Sequence, residues 1–230
     1  DVVKTNQSRH NFNHTTLSNM LTLFTSGSTD EPKRVTHSWE YINQSAKLSA
    51  KEIGLTKDDI VLDVFPANTI AHYTITALPA YISGAQLVSA NFNALTYPTL
   101  FSSVKPTYIA LIPRHLELLQ KTKGFKDLDM SCVRYMVTGS SKIEQSFIDA
   151  FKERGVQTVA NWYGMTEYAP PVMIGYDSPS FDFNTIDEKR THVMFNPITA
   201  TSNLAHCIIN GKSTGDIFDM NTKTFSHRMN

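Results

Sequence analysis

Three short stretches of this sequence concentrate residues able to do chemistry. The first is Thr25-Ser26-Gly27-Ser28-Thr29-Asp30-Glu31-Pro32-Lys33, with four hydroxyls, one glycine and a lysine in nine residues. Hydroxyls and free backbone N–H groups surround phosphate oxygens well, and a lysine adds a point charge. It is not a Walker A loop, because Pro32 stands before Lys33 and Arg34 after it. On composition alone it reads as a phosphate cradle or as an ordinary polar turn. The second stretch is Asn161-Trp162-Tyr163-Gly164-Met165-Thr166-Glu167. There Tyr163 suits stacking on a base and Glu167 suits Mg²⁺, whose preferred ligands are carboxylate oxygens. The plainer alternative is a core tyrosine and a solvated glutamate. The third is Thr214-Gly215-Asp216, where a carboxylate is available to two ribose hydroxyls, or simply ends a Gly-Asp turn.

These stretches need a scaffold. Met20–Phe24 is apolar and short, as a buried strand is, and the polar run from Thr25 to Ser38 reads as a loop. Trp39, Ile42, Ala46 and Ile53 have helical spacing between an N-cap at Ser38 and a stop at Gly54. Strands are expected around Val61, Leu87, Ile109, Met136 and Val159. Helices are expected over Leu78–Ser83, Leu95–Val104, Arg114–Thr122 and Lys142–Arg154. Alternating strands and helices predict βαβ units and a largely parallel sheet with flanking helices. After Gly175 the texture becomes short β-like runs, with Asn210-Gly211 as a hairpin signal, so a small antiparallel β region follows. The expected organisation is a polar lead-in over 1–18, an α/β body over 19–176 and a small β region over 177–230. FSHRMN carries neither helix-stop nor turn chemistry and reads as chain in mid-element.

Composition narrows the classes. Of 230 residues 41% are hydrophobic, enough for a core. Lys+Arg and Asp+Glu are both 21, so there is no basic footprint for nucleic acid. No apolar run approaches the roughly 20 residues that a membrane span needs. The two cysteines, Cys132 and Cys207, fit neither a disulfide framework nor a zinc set. With no signal-peptide pattern, they point to a reducing, cytoplasmic compartment.

Taken in order, the stretches resemble the adenylate-forming superfamily of acyl-CoA synthetases, luciferases and peptide-synthetase adenylation domains. Its phosphate loop, Y/F-T-S-G-S/T-T-G-x-P-K, stands here as FTSGSTDEPK. Its Y-G-x-T-E stands as YGMTE, and its T-G-D as TGD. RYMVTGSSKI looks like the strand and glycine turn beside adenine, and the segment around His72 like the one with a pocket histidine. FSHRMN is similar to the segment whose arginine precedes the hinge to a small lid domain.

The resemblance implies a role for each of these residues. Thr25, Ser26, Gly27, Ser28, Thr29 and Lys33 would line the ATP β- and γ-phosphates. Gly139, Ser140 and Ser141 would flank adenine, with Tyr163 stacked on it beside Gly164. Thr166 would touch the α-phosphate and Glu167 would hold Mg²⁺. Asp216 would bind the ribose with Arg228 nearby, and His72 would sit by the acyl carboxylate. The implied reaction joins a small-molecule carboxylic acid to ATP, giving an acyl-adenylate, with CoA or a carrier-protein thiol as acceptor. Asp30 departs from the family's glycine, and with Glu31 it brings two carboxylates near a triphosphate. The family's large N-terminal portion and its C-terminal lid have no counterpart in these 230 residues. The alternatives are therefore a nucleotide- or acyl-binding module without turnover and a phosphate-handling enzyme of another kind.

Overall fold

The structure is a computed structural model, and it describes residues 3–4, 19–25 and 32–229. The expected polar lead-in therefore lies outside the described residues, apart from the strand β1 (Val3–Lys4). Two strands follow, β2 (Met20–Thr25) and β3 (Lys33–Ser38), then the helix α1 (Trp39–Ile53). Next come β4 (Ile60–Asp63), a π-helix (His72–Ala77), α2 (Leu78–Ser83) and β5 (Gln86–Ser89). The body continues with α3 (Tyr97–Val104), β6 (Tyr108–Ala110), α4 (Pro113–Leu119) and α5 (Lys123–Lys126). It closes with β7 (Tyr135–Gly139), α6 (Gln145–Lys152), β8 (Val159–Met165) and β9 (Tyr168–Tyr176). The rest is β10 (Val193–Pro197), β11 (Leu204–Ile209), β12 (Lys212–Asp219) and β13 (Thr224–Arg228).

The main sheet runs β1-β5-β4-β6-β7-β8-β9. Strands β5, β4, β6, β7 and β8 are parallel, and β1 and β9 are antiparallel edges. A parallel sheet must be covered on both faces, and alternation along β7 shows how. Met136 joins the core under α3, α4 and α6, with Phe101, Leu116, Phe147 and Phe151. Its neighbours Tyr135 and Val137 join the opposite core, with Ile53 of α1 and Ile75 of the π-helix. Helix α1 is bounded as its sequence predicts. The Ser38 hydroxyl accepts from Tyr41 N–H at 3.2 Å, and Gly54 takes the left-handed conformation at φ 64°. Strands β10 to β13 form a four-stranded antiparallel sheet, which packs Cys207, Ile209 and Phe218 against Tyr163 and Met173 of the main sheet.

Several expectations change. The polar run is not a loop throughout, because Lys33–Ser38 pairs antiparallel with β2, opposing Thr25 to Lys33 and Leu23 to Val35. Nor does Met20–Phe24 open the parallel sheet or lie fully buried. In this separate two-stranded sheet Leu23 is buried, while Phe24 is 63% exposed. Strand β9 carries Pro170-Pro171, which reads against a strand; as the antiparallel edge of the sheet it tolerates proline. Strand β13, within the unpatterned end, is held by pairing with β12.

Candidate functional site

The carboxyl ends of β4, β6, β7 and β8 face a chamber of about 650 Å³. In α/β sheets this edge is where ligands bind. The inner wall is apolar, formed by Phe65, Ile70, Ile75, Leu111, Val137, Trp162 and Pro170. The rim is polar, with Thr25, Lys33, Ser140, Thr166, Glu167 and Arg228. A smaller cavity of about 250 Å³ shares Gly139, Ser140, Gly164 and Arg228 with the chamber and adds Ser141, Tyr163 and Asp216.

Two contacts bring the β2–β3 hairpin onto the end of β8. Lys33 Nζ donates to Glu167 Oε1 at 2.8 Å, across 134 residues of sequence. His37 Nε2 lies 2.6 Å from the carbonyl oxygen of Thr166. Burial alone would raise the Glu167 carboxyl, but the hydrogen bond and charge of Lys33, with a smaller effect of Arg228, hold it below the usual carboxylate range.

Asp216 is buried and accepts three hydrogen bonds. Arg228 donates to it from Nε at 2.5 Å and from Nη2 at 2.9 Å, and the Tyr163 hydroxyl donates at 2.6 Å. The Asp216 hydrogen bonds keep the Arg228 guanidinium firmly charged. Burial first, then the nearby Cys207 and Asp216, push the Tyr163 phenol well above its ordinary value. The Tyr163 ring stands edge-on to Phe218 at 5.1 Å and to Phe181 at 6.1 Å.

Two backbone features shape the wall between the cavities. A Cβ at Gly139 would stand 2.3 Å from the carbonyl oxygen of Trp162, so this close approach of β7 to β8 requires glycine. Ser140 is left-handed at φ 71°, a conformation that costs a non-glycine residue about 1–2 kcal/mol.

Of the residues singled out in the sequence, Thr25, Lys33, Gly139, Ser140, Gly164, Thr166, Glu167 and Arg228 meet around the chamber. Ser141, Tyr163 and Asp216 meet around the adjoining cavity. Ser26, Gly27, Ser28 and Thr29 lie outside the described residues. His72 is not part of either lining; its Nδ1 lies 2.7 Å from Asp63 Oδ2. Sequence reasoning missed Phe65, Leu111 and Trp162 as walls. A large aromatic residue at a strand's carboxyl end was the available signal for Phe65 and Trp162. It also missed His115, whose ring stacks on Phe92 at 3.9 Å and which burial pushes down to about 4. No cluster of three or more His, Cys, Asp or Glu side chains suited to a metal occurs among the described residues.

This is an α/β protein with a polar-rimmed, apolar-walled cleft at the carboxyl edge of a parallel sheet. Residues 10–196 match the family described as AMP-binding enzyme, and the chain belongs to that family. It is 26% identical over 150 residues to the long-chain-fatty-acid–CoA ligase FadD13 of Mycobacterium tuberculosis (strain ATCC 25618 / H37Rv), a match covering 65% of this chain and 29% of that one. It is 28% identical over 152 residues to the indoleacetate–CoA ligase of Aromatoleum aromaticum, covering 66% and 30%. The matches thus span less than a third of these relatives' length. The fold is shared with the O-succinylbenzoate coenzyme A synthetase of Bacillus subtilis, solved with ATP and a magnesium ion. The TM-score is 0.69 at 18% identity, over 89% of this chain and 48% of that one. Among the described residues no helix is long and apolar enough to cross a membrane.

Proposed function

We propose that this chain carries the nucleotide site of an enzyme that activates a carboxylic acid with ATP, forming an acyl-adenylate and releasing pyrophosphate. The observation that carries the reading is the meeting of Lys33 and Glu167 on the chamber rim, between Thr25 and Arg228. A cation and a carboxylate from distant parts of the chain, beside hydroxyls and a second cation, suit a metal-bound polyphosphate better than a neutral ligand.

In this reading Lys33, Thr25 and Thr166 hold phosphate oxygens. Gly139, Ser140 and Ser141 flank the adenine with Tyr163 and Gly164, and Asp216 holds the ribose beside Arg228. Glu167 is the carboxylate on the chamber rim that would hold Mg²⁺, a hard cation normally bound by one or two carboxylates together with substrate phosphates. Bound there, the ion would neutralise charge on the polyphosphate. The acid's carboxylate oxygen attacks the α-phosphorus, the bond to the bridging oxygen breaks, and pyrophosphate leaves with the electron pair. The residues contribute position and charge: Lys33 offsets the developing negative charge, and the apolar wall holds the acyl group dry. The acceptor is CoA or a carrier-protein thiol, and the setting is the cytoplasm. Residues 19–176 form the nucleotide-binding body, with 177–230 as a β region leading toward a lid.

A second reading is a module that binds nucleotide or an acyl ligand without turnover. Carboxylate-dependent ATP–pyrophosphate exchange, abolished by Lys33→Ala, supports activation. Nucleotide binding without exchange under any acid supports the module. Release of ADP instead of AMP would sink both.

A further inference from the structure

We propose that Asp63 is a positioning residue for His72, holding its imidazole as the proton acceptor for the thiol that takes the acyl group. The proposal rests on the acyl-adenylate reading above. Asp63 ends β4 with its side chain 1% exposed, while that of His72 is 18% exposed.

The geometry assigns the proton. Oδ1 of Asp63 accepts from Thr76 Oγ1 at 2.8 Å and from the backbone N–H of Phe65 at 3.1 Å. Oδ2 accepts from Ser89 Oγ at 3.4 Å and faces His72 Nδ1 at 2.7 Å. A carboxylate only accepts. A contact of 2.7 Å between it and a ring nitrogen therefore puts the proton on Nδ1, leaving Nε2 as the lone-pair nitrogen of the neutral ring. Among the described residues Nε2 has no hydrogen-bond partner, and the aromatic neighbour is Tyr73, edge-on at 5.1 Å. A carboxylate behind an imidazole, fixing its tautomer and steadying the cation that forms, is the general arrangement of an oriented base. His72 directly follows Ala71 and shares the π-helix with Ile75, and both of these line the chamber. The imidazole is thus anchored beside the chamber but outside its lining.

Carboxylate activation itself has no proton to remove, whereas acyl transfer does. The thiol S–H proton passes to Nε2, and the sulfur attacks the carbonyl carbon of the acyl-adenylate. A C–S bond forms, the C–O bond to phosphate breaks, and AMP leaves with the electron pair. The imidazolium then returns its proton to solvent.

Asp63→Asn gives a sharp test. The Phe65 N–H and Thr76 hydroxyl already point at Oδ1, so the amide oxygen must take that side and the NH₂ must face His72. That NH₂ donates to Nδ1 and drives the ring proton onto Nε2, removing the acceptor. Nitrogen-15 spectra of labelled histidine, with His72 assigned through His72→Gln, should show Nδ1–H in the wild type and Nε2–H in Asp63→Asn. Supplied with synthetic benzoyl-adenylate and pantetheine, the wild-type chain should speed thioester formation over buffer. Asp63→Asn and His72→Gln should each lose at least tenfold of that rate, the double variant no more, and Asp63→Asn should bind AMP with unchanged affinity. A merely structural aspartate would lower binding and rate together. An Nε2–H ring in the wild type, which needs no variant to detect, overturns the proposal. So does wild-type thioester formation no faster than buffer, or equal rates in the variants. Because the adenylate is supplied, a failure of ATP–pyrophosphate exchange would sink the activation reading without touching this one.

Discussion

Arg228 and Asp216 form a two-point ion pair, Nε to Oδ1 at 2.5 Å and Nη2 to Oδ2 at 2.9 Å, with the Tyr163 hydroxyl on the same carboxylate. The antiparallel sheet thereby delivers both residues to the edge of the α/β body, because Asp216 and Arg228 face each other in the β12–β13 register. A ribose bound here shares a carboxylate that already has three donors.

Asp216→Ala should therefore weaken AMP binding by about 1–3 kcal/mol, the range for losing hydrogen bonds to a charged acceptor. Titration calorimetry decides it: equal affinity in variant and wild type would remove Asp216 from the ribose role.

Glu167→Gln should abolish the magnesium dependence of ATP binding while leaving AMP binding intact, since a neutral amide is a poor ligand for a hard cation. A magnesium titration of ATP affinity that matches the wild type would clear Glu167 of that duty.

Asp59 and Arg134, at the amino ends of β4 and β7, meet at 2.7 Å, and Arg134 also donates to the carbonyls of Ile53 and Gly54. Burial alone would raise the Asp59 carboxyl, but hydrogen bonds from Arg134, Thr107 and Thr56 outweigh it and hold it at about 2. Its stabilising effect is fully present above the ordinary value of 3.8 and is lost as pH falls through about 2. Asp59→Ala leaves Arg134 without its carboxylate and should cost about 3 kcal/mol in urea denaturation at neutral pH. A loss below about 1 kcal/mol would show that solvent replaces the aspartate.

His115 runs the opposite chemistry toward the same end. Burial lowers it from 6.5 to about 4, so the unfolded chain takes up a proton there before the folded one does. Its contribution is intact above pH 6.5 and erodes as pH falls toward about 4. His115→Phe should flatten the fall in melting temperature across that window, and unchanged steepness would locate the acid sensitivity elsewhere.

How far the sequence could be read depended on the range of the interactions. Helix α1 was legible to the residue because its cap at Ser38 and its stop at Gly54 are local. The hairpin of β2 and β3 was not. Lys33–Ser38 is largely polar and exposed, and its strand character comes from pairing with β2. The same holds for β9 and β13, strands made by their neighbours. At the site, residue types and motifs pointed to Lys33, Glu167, Tyr163 and Asp216. Their pairing, Lys33 with Glu167 and Tyr163 with Asp216, depends on tertiary geometry that no local pattern encodes. The departure of His72 from the expected lining has the same origin, a buried aspartate nine residues earlier whose role shows only once β4 and the π-helix are packed together.

The contact between Gly139 and the Trp162 carbonyl makes one position intolerant for a purely steric reason. Even a methyl group at 139 would be a wedge driven between neighbouring strands of a parallel sheet, and no rotamer change relieves a clash with backbone. In a saturation library selected for folded protein, codon 139 should collapse to glycine, while codon 140, one step along the same wall and strained by its left-handed serine, should drift toward it.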